Sequence, residues 1–545
     1  HIDEKELQDA MGVDTKSIFA FWKEDKPTIK DKLLPTLEES LRNFYDSKGF
    51  YDATFMIERS KTNVIISIEE NEPVKISDID ISSDHDITKL VTFKKGQVFR
   101  SKEFVSIKKN ITEGLLKEGY CNYDLDSKAY VDLNRHEVSV RFKLKKNDVC
   151  NFGKMSVKGL ETIDDSVVLS RVRAREGERF NMDRIQETYD ALYDLDAFDF
   201  VSVKHDRKLY KVVPIDIEVA EVKRPWYIKG DIEFDTTVGL RLTAEVLRTN
   251  FMGNAKNIRL GLTYSKIDKV AELSYFVPAL FKISDYYIDL TSKLGYSDFK
   301  YEGFNEEKIY AETFLTYSDE KWDIDTGFAI ENIDILLRKS TSPEIIEPGN
   351  FSVLYPFLRV TYDGRDSKMR PKYGYYIGGM IEYGLPYEAE ASSYLKYTLD
   401  GRALYTLSDV TLVAIAKAGI VDQKNNEIPD SKFFFAGGYD TNRAYGYKRV
   451  GVIHSPTVYG LAGGATMANL TLEANYPIEE NLYAVVFSDN TILTKDEYDF
   501  SGDILSSAGL GVRYLTPIGP IKLDVGMNVH DTSEYAIHFQ MGKSF

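Results

Sequence analysis

The chain ends Tyr535-Ala536-Ile537-His538-Phe539-Gln540-Met541-Gly542-Lys543-Ser544-Phe545. Side chains alternate across an extended strand, so Tyr535, Ile537, Phe539, Met541 and Phe545 share one face. Ala536, His538, Gln540, Gly542 and Ser544 share the other. A sequence that stops on a strand with one greasy face has an edge to hide or pair. A barrel closed within a lipid bilayer does both.

The pattern continues upstream. Ile521, Leu523, Val525, Met527 and Val529 alternate with Lys522, Asp524, Gly526, Asn528 and His530. Leu510, Val512 and Tyr514 alternate with Gly509, Gly511 and Arg513, and Leu470, Leu472, Ala474 and Tyr476 with Asn469, Thr471, Glu473 and Asn475. These runs reach about 10 residues, the length a tilted membrane strand needs and longer than the usual strand of a soluble sandwich. No run approaches the ~18 apolar residues of a membrane helix. The mean hydropathy of −0.31 is compatible with a barrel, which needs only alternate residues to be apolar. Roughly sixteen such strands fit between Trp226 and Phe545, an even number suited to an antiparallel single-chain barrel.

Before about residue 222 the periodicity changes. Leu33, Leu37, Leu41, Phe44 and Tyr45 follow helical spacing up to Gly49, and Tyr51–Glu58 and Asn63–Glu69 read as a hairpin. Phe104, Ile107, Ile111 and Leu115 form a second stripe before Gly119. Ile185, Tyr189 and Leu192 form a third, followed by strands at Phe198–His205 and Tyr210–Val219. The second and third units open with strands at Val74–Ser82 and Gly153–Gly159. The first shows none after His1, so its opening strand is expected upstream, with a short helix and an irregular stretch over residues 4–26. A recurrence of ~70 residues carrying one helix and one hairpin is an array of small α+β domains. The expected divisions are 1–72, 73–149, 150–222 and a barrel over 223–545 with a long in-folded loop at 422–456.

The two cysteines flank the second hairpin, whose strands read as Asn122–Leu133 and Glu137–Lys146. If the turn centres between Arg135 and His136, residues whose numbers sum to 271 face one another. Cys121 and Cys150 satisfy that condition, which places a disulfide at the open end of the hairpin. Such a bridge suits an oxidising compartment.

Several function classes are disfavoured. A net charge of −17 argues against a nucleic-acid grip. The seven histidines form no H-E-x-x-H or comparable spacing, Gly437-Gly438 lacks the rest of a phosphate loop, and no Ser-His-acid set is legible. Neither enzyme chemistry, metal nor cofactor is therefore expected.

Phe152-Gly153-Lys154-Met155-Ser156-Val157-Lys158-Gly159-Leu160 and Arg175-Glu176-Gly177-Glu178-Arg179-Phe180 resemble POTRA domains, periplasmic polypeptide-transport modules. The barrel half resembles the outer-membrane assembly and secretion superfamily that carries them. The resemblance rests on Asp363-Gly364-Arg365-Asp366 with Pro371 and Gly374, on Phe435-Ala436-Gly437-Gly438 with Asn442-Arg443-Ala444-Tyr445-Gly446-Tyr447, and on Gly511, Arg513, Pro517, Gly519, Pro520 and Asp524. Three POTRA units most resemble the TamA branch. BamA-type insertases carry more units and two-partner secretion pores fewer; both stay open as alternatives, and a passive porin would lack the repeats.

The resemblance implies α+β POTRA repeats ahead of an all-β transmembrane barrel in the bacterial outer membrane. It implies insertion or translocation of unfolded β-barrel or autotransporter clients without ATP, and a TamB-like periplasmic partner at the first unit. It also implies that Arg443 meets an acid inside the barrel, with Asp489 first and Glu473 second. The family loop usually reads Arg-Gly-Tyr or Arg-Gly-Phe. Here Ala444 intervenes, and Gly446 is expected to supply the glycine conformation late. The seam between first and last strands, marked by Pro225, Trp226, Gly230, Phe539, Gly542 and Phe545, is expected to be weak, because Pro cannot donate and Gly weakens a strand.

Overall fold

A computed structural model describes all residues except 1, 3, 14–26, 61–62, 206–210, 237, 339–345, 347, 369–370, 387–392, 424–427, 453–460, 480, 517–518 and 542–545. The chain divides into two compact units. One comprises His1–Ser156, Ala174–Tyr189 and Ser202–Glu218; the other comprises Val157–Arg173, Asp190–Val201 and Val219–Phe545.

The repeats are built by amphipathic helices laid on small sheets. The first holds α1 (Glu4–Ala10), α2 (Leu37–Ser47), β1 (Thr54–Arg59) and β2 (Val64–Glu69), with β1 antiparallel to β2. Leu37, Leu41 and Tyr45 recur at fourfold spacing and are buried. Gly49 follows the helix at φ 95°, a left-handed conformation that suits glycine. The expected strand upstream of His1, and residues 14–26 of the expected helix and irregular stretch over 4–26, lie outside the described residues. The second repeat holds β3 (Lys75–Ser83), α3 (Ser101–Lys117), β4 (Asp124–Asp132) and β5 (Glu137–Lys145), in sheet order β3-β5-β4 with β3 parallel to β5. Ile107, Ile111 and Leu115 of α3 close over Val138, Val140, Phe142 and Leu144 of β5 in one core. The third holds β6 (Asn151–Lys158), α4 (Asp165–Leu169), α5 (Met182–Tyr193), β7 (Phe198–His205) and β8 (Val212–Glu221), in order β6-β8-β7.

Cys121 and Cys150 are joined, with Cα atoms 5.9 Å apart. The register that led to them is corrected. Asp132 pairs with Glu137 and Asp124 with Lys145, so facing residues sum to 269. The turn takes four residues, Leu133 to His136, because His136 adopts φ 51°. The cysteines lie beyond the ladder, where the Gly119 carbonyl accepts both of their N–H groups, at 3.1 Å and 2.9 Å. The bridge closes a sequence separation of 29, worth about 3–4 kcal/mol of denatured-state entropy. Reduction should therefore lower the unfolding midpoint of this repeat in the intact protein, read by hydrogen exchange of β4 and β5; equal protection with and without reductant would contradict this.

The barrel runs β9 (Trp226–Asp235), β10 (Gly239–Arg248), β11 (Asn257–Tyr264), β12 (Asp268–Ile283), β13 (Tyr286–Lys300), β14 (Phe304–Ser318), β15 (Trp322–Leu337) and β16 (Gly349–Asp363). It continues through β17 (Tyr373–Pro386), β18 (Tyr394–Leu407), β19 (Val410–Gln423), β20 (Thr466–Glu479), β21 (Leu482–Thr494), β22 (Leu505–Thr516), β23 (Gly519–Asn528) and β24 (Tyr535–Met541). The sixteen strands form one sheet in sequence order, every neighbouring pair antiparallel. Alternation appears as expected: Leu523, Val525 and Met527 face outward, while Lys522, Asp524 and Asn528 are buried within.

Strand lengths depart from expectation. The central strands run 13 to 16 residues, whereas β11 has 8 and β24 has 7. Fifteen residues at ~3.3 Å each, tilted ~45°, stand about 35 Å tall, so the central strands reach beyond a hydrocarbon core of ~25–30 Å. The short strands cluster at the two ends of the sheet.

Within the second unit, the segment around α4 sits on the barrel base. Arg171 donates to Asp289 of β13 at 2.7 Å, and Asp164 and Asn254 exchange hydrogen bonds at 2.8 Å each. Glu221 accepts the N–H groups of Glu161, Thr162 and Ile163 at 2.7, 2.7 and 3.0 Å, and the Thr162 hydroxyl at 2.5 Å. Partial burial raises its pKa, but these hydrogen bonds outweigh burial and hold the carboxyl below its usual range. A depressed folded-state pKa contributes stability above the unfolded pKa that fades as pH falls through the folded one. Glu221→Gln should cost about 1 kcal/mol at pH 7, a figure discounted for the group's solvent exposure, and less as pH drops below the ordinary carboxylate range. A loss independent of pH, measured by thermal melts from pH 7 to 3, would contradict this.

Candidate functional site

The long loop occupies residues 424–465, since β19 ends at Gln423 and β20 starts at Thr466, which moves the expected limits of 422–456. Its stem is held by isolated antiparallel bridges among three short segments, around residues 434–436, 450–452 and 462–464. Phe434 and Gly464 exchange backbone hydrogen bonds at 2.9 and 2.8 Å, and Ala436 and Val450 at 2.9 Å each. Phe435 packs on Tyr301 and Phe304 of the wall, with ring centroids 5.2 and 6.1 Å away. The tip turns at Gly437 and Gly438, both left-handed at φ 99° and 93°. The expectation that Gly446 supplies this conformation is therefore corrected: Gly446 is not left-handed, and the glycine requirement falls before Arg443 instead of after it.

Arg443 is 1% exposed. Its Nε and Nη2 donate to the two oxygens of Asp489 at 2.9 and 2.8 Å, a bidentate fork, and its backbone N–H adds a third bond at 3.0 Å. Nη1 donates to Glu473 at 2.6 Å and to Asp524 at 3.2 Å. The guanidinium lies 3.4 Å from the centre of the Phe487 ring. Asp489 also accepts from the Thr471 hydroxyl at 2.8 Å. Arg513 forks onto Asp524, with Nη2 at 2.8 Å. Lys522 stands 4.9 Å from the Tyr439 ring, which lies 5.5 and 5.6 Å from Arg443 and Arg513. Arg443, Arg513 and Lys522 thus share a buried site with Glu473, Asp489 and Asp524, three charges of each sign.

Strand parity makes this convergence possible. Val485, Phe487 and Asp489 of β21 all point inward. Gly526 of β23 lets the loop approach: a Cβ there would meet the Arg443 carbonyl oxygen at 2.5 Å. His538 of β24 shares a hydrogen bond with the same carbonyl at 3.1 Å, so the loop tip touches the last strand.

The remaining expected residues are dispersed. Ala444 is buried beside Arg443, and the Tyr445 hydroxyl donates to Glu534 at 2.8 Å. Asp363, the last residue of β16, holds Arg365 bidentately at 2.8 Å twice, and Asp366, in the turn that follows, accepts the Lys372 N–H at 2.9 Å. Arg365 lines a lumen cavity of about 360 Å³ together with Tyr439, Glu473 and Lys522. Gly511 lies where a Cβ would strike Asp524. Gly519 and Pro520 pair with Thr516 and Leu515. Pro517, Gly542 and Phe545 lie outside the described residues.

At the seam, β9 and β24 share no backbone ladder among the described residues. They meet through the Thr236 hydroxyl, which donates to the Ile537 carbonyl, and through Phe234 and Phe539, whose rings are 5.9 Å apart. Gly230 pairs with Ala244, Trp226 stacks under Arg248, and the Pro225 carbonyl accepts the Thr249 N–H at 2.8 Å, so all three are engaged on the β10 side.

Sequence reasoning missed Lys432, which is buried against Glu331 and Glu382 at 2.7 and 3.4 Å. The inward parity of two acids on β15 and β17 was its only signal.

Removing the Arg443 side chain would strand a cluster of buried carboxylates. Arg443→Ala should cost about 3–5 kcal/mol, and Arg443→Lys less, since charge survives while the fork is lost. Heat-dependent gel mobility of the folded barrel reads this; wild-type heat resistance in Arg443→Ala would contradict it.

Comparison with known proteins bears on this geometry. The family model described as the Omp85 superfamily domain matches residues 250–545, and the surface antigen variable number repeat, or POTRA, matches 73–147 and 151–222. The outer membrane protein assembly factor BamA of Nitratidesulfovibrio vulgaris is 21% identical over 583 aligned positions, covering 100% of this chain and 72% of that protein. BamA of Buchnera aphidicola is 22% identical over 323 positions, 56% of this chain and 50% of that protein. The crystal structure of BamA from Haemophilus ducreyi lacking POTRA domains 1–3 superposes with a TM-score of 0.56 at 17% identity, covering 86% of this chain and 100% of that one, a likeness of fold. With the superfamily domain spanning more than half of its length behind two matched POTRA repeats, the chain belongs to the Omp85 superfamily.

Proposed function

We propose that this protein is an outer-membrane assembly factor that inserts or translocates β-barrel or autotransporter clients through the seam between β9 and β24, with its POTRA repeats in the periplasm. The observation that carries this reading is the missing ladder. Each consecutive pair from β9 to β24 is hydrogen-bonded, whereas β9 and β24 meet through one hydroxyl contact and one ring pair among the described residues. Two unpaired strand edges in a membrane are templates for an incoming strand. Client strands would add to β9, and the exchange of hydrogen-bond partners needs neither a catalytic group nor a nucleotide.

Within this reading, the helix-and-hairpin repeats ahead of the barrel support a TamA-like factor, with a TamB-like periplasmic partner at the first repeat. The BamA relatives, one of them aligned over the whole chain, favour a second reading as a BamA-type general insertase. Copurification separates the two: a very long periplasmic protein retained by the first repeat supports the former.

Cysteines placed at Phe234 and Phe539 and oxidised should reduce client insertion into liposomes to background, with recovery on reduction. Insertion at the wild-type rate by the locked barrel would overturn the proposal.

A further inference from the structure

The Arg443 cluster fixes the tip of the lumen loop. A separate set of buried charges meets its stem. Lys432 closes a short 3-10 turn, Asp430–Lys432, at the start of the stem and is 7% exposed. Its Nζ lies 2.7 Å from Glu331 Oε2, as an ion pair and not an aligned hydrogen bond, and 3.4 Å from Glu382 Oε1. It sits 4.3 Å from the centre of the Tyr355 ring and 5.8 Å from that of Tyr394. Each tyrosine hydroxyl donates to one of the acids at 2.9 Å, Tyr355 to Glu331 and Tyr394 to Glu382.

These four side chains come one each from β15, β16, β17 and β18, four consecutive strands of the wall. The partners of Arg443 come from β20, β21 and β23. Backbone hydrogen bonds of the stem, between Ala436 and Val450 and from Gly438 to Asn442, run between the two sets of contacts. The wall side of the Lys432 cage is acidic and already holds Lys308, 3.7 Å from Glu331 and 3.9 Å from Glu306. Without Lys432 two carboxylates that are 6% and 7% exposed would face each other with less positive charge to meet them.

We propose that Lys432 is a second anchor of the lumen loop, a positioning residue that holds the stem to the β15–β18 wall and makes the loop a brace across the barrel interior. Tip and stem then each have their own charged anchor. Loss of the Lys432 anchor loosens the stem from the β15–β18 wall, leaving it the Phe435 packing, while Arg443 still holds the tip. The inference stands whether or not the seam opens to clients.

The test uses thiol labelling of the full-length protein in lipid. The native cysteines are bridged, so Ala436→Cys, at a position 0% exposed in the stem, supplies the one reactive thiol. Against that background, Lys432→Met should raise the maleimide labelling rate by about tenfold or more, through local opening of the stem. The triple variant Lys432→Met, Glu331→Gln, Glu382→Gln strands no carboxylate, so it reports on the anchor even if Lys432→Met does not fold, and it should label equally fast. Protection unchanged in the triple variant would overturn the proposal, because the single variant's effect would then come from stranded acids and not from loss of an anchor.

Discussion

In hydrocarbon each backbone N–H and C=O needs a partner; among the described residues the strand ladder joins every consecutive pair from β9 to β24 and leaves β9 and β24 without a ladder between them. That constraint organises the structure. Strands of 13 to 16 residues form the middle of the sheet, where the ladder runs beyond the bilayer. Towards both ends of the sheet the strands shorten, to 8 residues in β11 and 7 in β24. A short strand offers few hydrogen bonds, so the joint without a ladder lies where the strands are shortest.

The lumen offsets the weakness of the seam. A cylinder whose first and last strands barely touch needs its wall held by something other than its own closure. The loop at 424–465 provides this through charge. Arg443 gathers β20, β21 and β23, and its carbonyl reaches His538 on β24. The last strand is thus held from inside, through the His538 side chain. Ion pairs of this kind contribute little net stability over apolar packing, but breaking one partner is costly. They therefore fix where the loop sits more than how stable the barrel is.

Much of this was legible in the sequence because alternation is a strong signal in a barrel. The inward face of β23, Lys522, Asp524 and Asn528, could be read residue by residue, and so could the helical stripes of the repeats. Arg443 with Asp489 and Glu473 followed from a family pattern plus the rule that a buried guanidinium needs partners; Asp524 as a third partner did not. What escaped depended on exact backbone geometry. The hairpin at 133–136 slipped because a left-handed His136 lengthened the turn. The glycine requirement of the loop was placed after Arg443 and not at Gly437 and Gly438. Lys432 was invisible because its acids lie on strands about 50 and 100 residues away, and a single lysine between Ser431 and Phe433 has no periodicity to expose it.

The central claim is that backbone pairing stops between β9 and β24. Hydrogen exchange in lipid measures it directly, on the alternate amides of β9 that point away from β10. The account predicts that these exchange much faster than the amides of β14 and β15, which are paired on both sides. Protection equal to that of β14 and β15 along the height of β9 would show a continuous ladder and contradict it.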